Sequence, residues 1–188
     1  CFVCKETALI ITHGLPGSGK STFAQIALER LHAIRLRSDV ERKRLFGLNP
    51  MADSRASTGL DLYSPEITQR TYARLFDLAR ELLHAGYTVI VDAAFLRQEE
   101  RAQFSRLAGD LSVPFAIASV QAGNETMRAR IMQRHAAASD ASEADIVVLE
   151  KLLRTHESLL PEEHSYTAGF VNETDGVAAD SAGWSKLQ

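Results

Sequence analysis

Gly14-Leu15-Pro16-Gly17-Ser18-Gly19-Lys20-Ser21-Thr22 is the stretch on which the reading of this chain turns. Four residues separate Gly14 from Gly19, and Lys20-Ser21 follow at once, which completes the G-x-x-x-x-G-K-[ST] pattern. Residues 7–12 (TALIIT) before it are apolar enough for a buried parallel strand. Residues 23–32 after it place Phe23, Ile26, Ala27 and Leu31 at helical spacing. A strand, a glycine-rich turn and a helix in that order form a phosphate cradle. The glycines reach backbone conformations closed to other residues and bring successive N–H groups near phosphate oxygens. The helix starting near Lys20 adds its unpaired N–H groups and the positive end of its dipole. Gly14, Pro16, Gly17, Ser18, Gly19, Lys20, Ser21 and Thr22 are therefore the expected nucleotide contacts. Lys20 is expected to reach the β- and γ-phosphates from an exposed position that adds little to packing, and the Ser21 hydroxyl to ligate Mg²⁺.

Working outward, 188 residues with 45% hydrophobic content suit a single domain over residues 1–188, with a well-buried core. The chain begins without Met directly before the first strand, which suggests a domain excised from a longer protein. A net charge of −3 and a pI near 6.1 argue against a protein that grips long nucleic acids through their phosphates. No apolar run reaches the length of a membrane span, and no signal-peptide pattern precedes the first strand, so a cytoplasmic protein is expected. Cys1 and Cys4 make a C-x-x-C pair, but two thiols do not complete a tetrahedral zinc site, and incidental reduced thiols are the expectation.

After the loop helix, residues 33–37 (AIRLR) form a short second strand that runs into Ser38-Asp39-Val40-Glu41-Arg42. A helix starting at Ser38 or Asp39 directs Asp39 and Arg42, three apart, to one side. The carboxyl ends of strands border the ligand crevice in open α/β sheets, so this pair is the candidate acceptor site; a plain helix N-cap is the competing reading. Residues 47–63 lack periodicity and read as a loop or lid over the acceptor side. Ser64-Pro65-Glu66 opens a helix whose buried stripe is Tyr72, Leu75, Phe76, Ala79, Leu82 and Leu83, stopped by Gly86. Residues 87–91 (YTVIV) are a third strand, with Asp92 at its end where a carboxylate can hold Mg²⁺ or its water shell.

A helix follows, ending near Gly109, and residues 113–120 form the fourth strand. Residues 125–134 carry Arg128, Arg130 and Arg134; the last two stand one turn apart and suit a lid that closes positive charge over a transferring phosphoryl group. The alternative is a solvated face. Residues 135–141 are the expected turn of that lid, and Ser142 the expected cap of a helix that runs to Pro161, with Asp145 completing a capping box. His13 is expected to fill space beside the loop. Residues 166–171 are the fifth strand, and residues 172–188, small and polar, cover the adenine side or trail loosely, with 175–188 a tail. Five strands alternating with helices make a parallel, doubly wound sheet with helices on both faces the expected α/β fold.

Taken together, GLPGSGKST, RSDVER, VDAAFLRQEER and RARIMQRHAAASDA resemble the predicted small-molecule kinases of the phosphate-loop superfamily, of the AAA-family ATPase type. These are often fused behind an aminoglycoside phosphotransferase-like domain. More distantly the chain is similar to phage-type polynucleotide kinase, zeta toxins and gluconate kinases. The resemblance implies a three-layer phosphate-loop NTPase fold with an arginine-bearing lid, and ATP with Mg²⁺ as cofactors. It also implies Asp39 as the base for the acceptor hydroxyl, Arg42 as its holder, Arg130 and Arg134 as lid arginines, and Asp92 as the counterpart of the Asp that closes the third strand.

The function expected is transfer of the ATP γ-phosphate to a hydroxyl of a small molecule. A regulatory module that binds nucleotide and gates a neighbouring domain, and a kinase of nucleic-acid 5′-hydroxyls, are the alternatives.

Overall fold

The computed structural model describes residues 7–50, 62–137, 144–173 and 182–187. Five parallel strands stand in the order β2-β3-β1-β4-β5: β1 Leu9–His13, β2 Ile34–Arg37, β3 Val89–Asp92, β4 Phe115–Gln121 and β5 Thr167–Val171. Such a sheet needs cover on both faces, which is why its strands are apolar runs rather than alternating ones. Helices α1 (Lys20–Leu31), α2 (Ser38–Arg44), α3 (Pro65–His84), α4 (Gln98–Asp110), α5 (Asn124–Ala137) and α6 (Ile146–Thr155) complete the described regular structure, with two 3-10 helices, Pro161–Tyr166 and Ala182–Lys186. The expected doubly wound α/β architecture is the observed one.

One face of the sheet is packed by Leu75 and Ala79 of α3, Phe104 of α4 and Phe95 of the segment before α4 against Leu9, Ile11, Val89 and Val91. The opposite face is packed by α1 through Phe23, Ala24 and Ala27 against Ile10, Ile90, Ala118 and Phe170. A third, smaller cluster joins Met127, Ile131 and Leu149, and Leu15 of the loop packs on it, so the α5–α6 hairpin rests on the phosphate loop.

Strand β1 is central, and its end is tied to the end of β3. The Thr12 hydroxyl donates to the Ala93 carbonyl at 2.7 Å, the Ala93 N–H donates back at 3.1 Å, and the Gly14 N–H donates to Ala94 at 3.1 Å. These bonds fix the glycine loop beside Asp92, which pairs in register with Arg37 as the last residue of β3. Helix α2 is fixed from below by Glu41, buried at 2% exposure, which accepts from Arg44 at 2.5 Å and from Arg74 of α3 at 2.7 Å.

Three expectations change. Helix α6 is capped by Asp145, whose carboxylate accepts from the Val148 N–H at 2.9 Å; Ser142 lies outside the described residues. That helix ends at Thr155, not at Pro161. Tertiary bonds draw the following chain out of the helix: the Glu157 N–H donates to Leu96, and Arg101 donates to the Glu157 and Ser158 carbonyls. Residues 182–187 of the terminal segment do not trail loosely: they return to the sheet. Trp184 is 6% exposed and stacks on Phe23 at 5.1 Å and 20°, with Phe170 edge-on at 5.2 Å. Cys1, Cys4, residues 51–61 of the expected acceptor lid and residues 138–141 of the expected lid turn lie outside the described residues.

Removing the Trp184 ring leaves a cavity between α1 and β5. Trp184→Ala is expected to lower the unfolding free energy by about 3–5 kcal/mol, measured by urea denaturation against wild type.

Candidate active site

The glycine loop runs from the end of β1 to the first turn of α1, whose N-cap is Gly19. No side chain caps that helix end, which leaves the first-turn N–H groups for an anion. Gly17 (φ +81) and Gly19 (φ +97) hold left-handed backbone. A Cβ on Gly17 would stand 2.6 Å from the Met127 carbonyl oxygen of α5, and one on Gly19 would stand 1.8 Å from Asn172 Nδ2. Both positions are therefore closed to side chains by packing as well as by backbone conformation.

A cleft of about 1750 Å³ opens over the loop. Of the residues singled out in the sequence, Pro16, Gly17, Gly19, Lys20, Ser21, Thr22, Asp39, Arg42, Asp92, Arg130 and Arg134 border it. Gly14 and Ser18 do not: both are buried beneath the loop. Lys20 is half-buried rather than exposed, and its Nζ donates to the Leu15 carbonyl at 2.8 Å. Burial pushes its pKa down to about 8; the charges of Asp92 and Asp39 oppose this shift, and that of Arg134 adds to it. Asp39 and Asp92 therefore both act on the Lys20 ammonium.

The Ser21 hydroxyl donates to Asp92 Oδ2 at 3.1 Å, so a hydroxyl and a carboxylate of the kind Mg²⁺ prefers converge at the loop. Among the described residues there is no group of three or more His, Cys, Asp or Glu that would build an all-protein metal cage. That donor set fits Mg²⁺, which is commonly held by one or two protein oxygens plus substrate phosphates. Asp92 is also paired with Arg35, whose Nη2 and Nε donate to Oδ2 at 2.5 and 3.2 Å, while Arg37 Nε lies 3.8 Å away. The sequence reading passed over Arg35 and Arg37. Their spacing of two in a strand expected to be buried was the available signal, since it puts both on one face of the sheet.

Beyond the end of the neighbouring strand β2, Asp39 Oδ1 accepts from Arg42 Nη1 at 2.7 Å and from the Tyr63 hydroxyl at 3.3 Å. Arg42 lies over the Tyr63 ring at 4.6 Å. Neither Ser38 nor Asp39 caps α2, because the N-cap position is Arg37 and no side chain bonds there. Tyr63 was missed, since nothing local in the sequence brings the end of a long loop back to Asp39. Further along the cleft the Tyr72 hydroxyl accepts from the Phe95 N–H at 3.0 Å and bonds the Glu100 carboxyl. Burial raises the pKa of both Tyr72 and Glu100.

The three arginines of residues 125–134 divide. Arg128 turns away and pairs with Glu150 of α6 at 2.5 Å, which holds the hairpin together. Arg130 Nη1 donates to the Asn172 carbonyl at 3.0 Å and to the Gly17 carbonyl at 3.4 Å, and Nη2 to Asn172 Oδ1 at 3.4 Å. Arg134 Nη2 donates to the Ala144 carbonyl at 3.0 Å.

His13 ends β1, with Nδ1 3.1 Å from the Ser119 hydroxyl. Burial, then the positive charges of Arg101 and Lys20, hold its pKa down at about 4, so the ring is neutral near pH 7. It fills space behind the loop and does not border the cleft.

Residues 9–159 match the AAA domain family AAA_33. The uncharacterized protein Rv2004c of Mycobacterium tuberculosis is 31% identical over 134 residues, which cover 71% of this chain and 27% of that protein. The chain thus spans about a quarter of the length of the curated relatives it matches. A gluconokinase from Sinorhizobium meliloti superposes with a TM-score of 0.66 at 17% identity, covering 97% of this chain and 94% of its own. Chaetomium thermophilum Kti12, in complex with ADP-AlF3, superposes with a TM-score of 0.66 at 20% identity, covering 91% and 92%. At these identities the structures speak for a shared fold.

The depressed pKa of Lys20 has a testable sign. The folded value, about 8, lies below the ordinary value of 10.5, so the unfolded chain binds more protons between the two. The stability of wild type relative to Lys20→Met is therefore expected to rise from pH 8 to pH 10.5 and to stay flat below pH 7. Urea denaturation of both proteins across that range reads the difference, in which the other groups cancel.

Proposed function

The chain belongs to the AAA_33 family of AAA domains and has the kinase-like phosphate-loop NTPase fold, and from that premise we propose that it transfers the γ-phosphate of ATP to a hydroxyl of a small molecule. One observation carries the reading. A carboxylate oriented by an arginine and a tyrosine, Asp39, borders the same cleft as Lys20, Ser21 and Asp92, and it acts on the Lys20 charge. The cleft volume also exceeds the range of about 300–1,000 Å³ that usually serves one small ligand, which leaves room for an acceptor beside the nucleotide.

In this proposal the loop N–H groups and Lys20 bind the β- and γ-phosphates, and Ser21 and Asp92 hold Mg²⁺. The metal, when bound, neutralises charge on the phosphate oxygens. Asp39 accepts the proton of the acceptor hydroxyl while the acceptor oxygen bonds the γ-phosphorus, and the bond from that phosphorus to the β–γ bridging oxygen breaks, releasing ADP. Arg42, already bonded to Asp39, orients the acceptor. Arg130 and Arg134 add positive charge from the lid. Positioning and charge neutralisation do most of the work, and a regulatory module that only binds nucleotide would not require the acceptor-side carboxylate.

Among the described residues no helix is long and apolar enough to cross a membrane. The acceptors proposed are small hydroxyl compounds, and the overall charge of −3 disfavours long nucleic acids.

ATP consumption screened against sugars, other metabolites, antibiotics and short oligonucleotides identifies the acceptor. With that acceptor, Asp39→Asn is expected to cut kcat by about 10²–10⁴-fold with little change in ATP affinity. Full activity in this variant refutes the general-base role, and failure of every acceptor to stimulate ATP use favours the regulatory module.

Lys20→Ala is expected to abolish transfer. Arg134→Ala is expected to lower kcat more than it weakens ATP binding, because the lid charge acts most strongly on the transition state, whereas Arg130→Ala is expected to lower both, since Arg130 also donates to the Gly17 carbonyl of the loop. Steady-state kinetics beside calorimetric ATP titrations separate the two effects.

A further inference from the structure

We propose that Asn172, beyond the end of β5 and outside every motif in the sequence, is a positioning residue that holds the phosphate loop in its anion-binding shape; this rests on the nucleotide-binding reading above. A loop that turns successive N–H groups toward a phosphate must turn carbonyls the other way, and carbonyls buried beneath the loop need donors. Asn172 and Arg130 supply them. Asn172 Nδ2 donates to the Ser18 carbonyl at 3.0 Å, and Arg130 Nη1 reaches the Gly17 carbonyl at 3.4 Å. Arg130 is in turn docked on Asn172 through the carbonyl and Oδ1 contacts.

The position of Asn172 is itself fixed. It is 3% exposed, and its N–H donates to the Gln121 carbonyl at 2.8 Å. The next residue, Glu173, accepts from the Gly123 N–H at 2.7 Å and the Thr126 hydroxyl at 3.0 Å, which binds it to the start of α5. Asn172 thus lies where β4, β5, the lid helix and the loop meet. The 1.8 Å between its amide and a Cβ built on Gly19 shows how closely the loop backbone is seated on it. An amide suits this place because one group donates to a peptide carbonyl while the other accepts from a guanidinium.

Asn172→Asp keeps the shape and the acceptor for Arg130 but removes the donor to Ser18 and puts negative charge behind the phosphates. Titration calorimetry of the full chain with Mg-ATP and with Mg-tripolyphosphate, which has the phosphates without the base, tests the proposal. Affinity for both probes is expected to fall at least about tenfold in Asn172→Asp, the size of effect that follows when a buried carbonyl loses its donor. The melting temperature without nucleotide is expected to fall by only a few degrees, so that the variant is folded throughout the titration. Asn172→Ser, with a shorter donor, is expected to fall between Asn172→Asp and wild type.

Loss of ATP affinity without loss of tripolyphosphate affinity overturns the proposal, because it places the residue at the base. Wild-type affinity for both probes in both variants overturns it too, while leaving the nucleotide-binding reading intact. If wild type binds neither probe, that reading falls and the proposal falls with it.

Discussion

The arrangement of this molecule depends on one constraint: backbone N–H groups that face an anion leave their carbonyls facing protein. At residues 14–19 the glycines make such a turn sterically possible, but possibility is not stability. Conformations with positive φ persist only where surrounding groups hold them. The Thr12 and Ala93 pairing holds the loop's entry, the start of α1 holds its exit, and the Met127 backbone and the Asn172 amide hold its back. Each of these partners comes from a different part of the chain. The sheet order that puts β1 between β3 and β4 is what delivers them to one point.

A second fixed point lies behind the loop. Arg101, 1% exposed, donates Nε and Nη2 to the two Glu163 oxygens at 2.7 and 2.9 Å, and its remaining donors reach the carbonyls of Phe95, Glu157 and Ser158. Burial works against charge on Glu163, but the Arg101 bonds prevail and hold its carboxyl below the usual value. A planar guanidinium can satisfy a carboxylate and several carbonyls at once, which an ammonium in the same place cannot. The pair anchors the chain that returns from α6 toward β5. The α5–α6 hairpin is therefore attached firmly at its ends, while its own small core of Met127, Ile131 and Leu149 rests on Leu15.

The charges in the cleft are arranged so that the loop is cationic and the wall near α2 is neutralised. Lys20 is partly desolvated and carries a depressed pKa, so an arriving phosphate meets an ammonium whose water shell is already reduced. Asp39 and Arg42 form a pair before any ligand enters, and Tyr63 braces both. At the end of the neighbouring strand β3, Arg35 and Arg37 hold Asp92. Asp39 and Asp92 are thus both oriented by arginine side chains.

The phosphate loop was legible because its chemistry is local: nine consecutive residues carry the turn, the cation and the hydroxyl, and the flanking periodicities identify the strand and helix. The same local signals gave the helical placement of Asp39 and Arg42, the Ser64 cap and Asp92 at a strand end. Other features depended on groups far apart in sequence. Arg101 draws residues 157–158 out of a helix whose apolar spacing alone would have carried it to Pro161. Trp184, in a segment of small polar residues, is buried because Phe23 and Phe170 leave a space for an aromatic ring. Tyr63 and Asn172 reach the cleft and the loop by contacts across 24 and 154 positions. A sequence by itself determines what its local spacing and residue chemistry encode; which distant side chain supplies the donor that a turned-out carbonyl needs is decided only when the sheet brings them together.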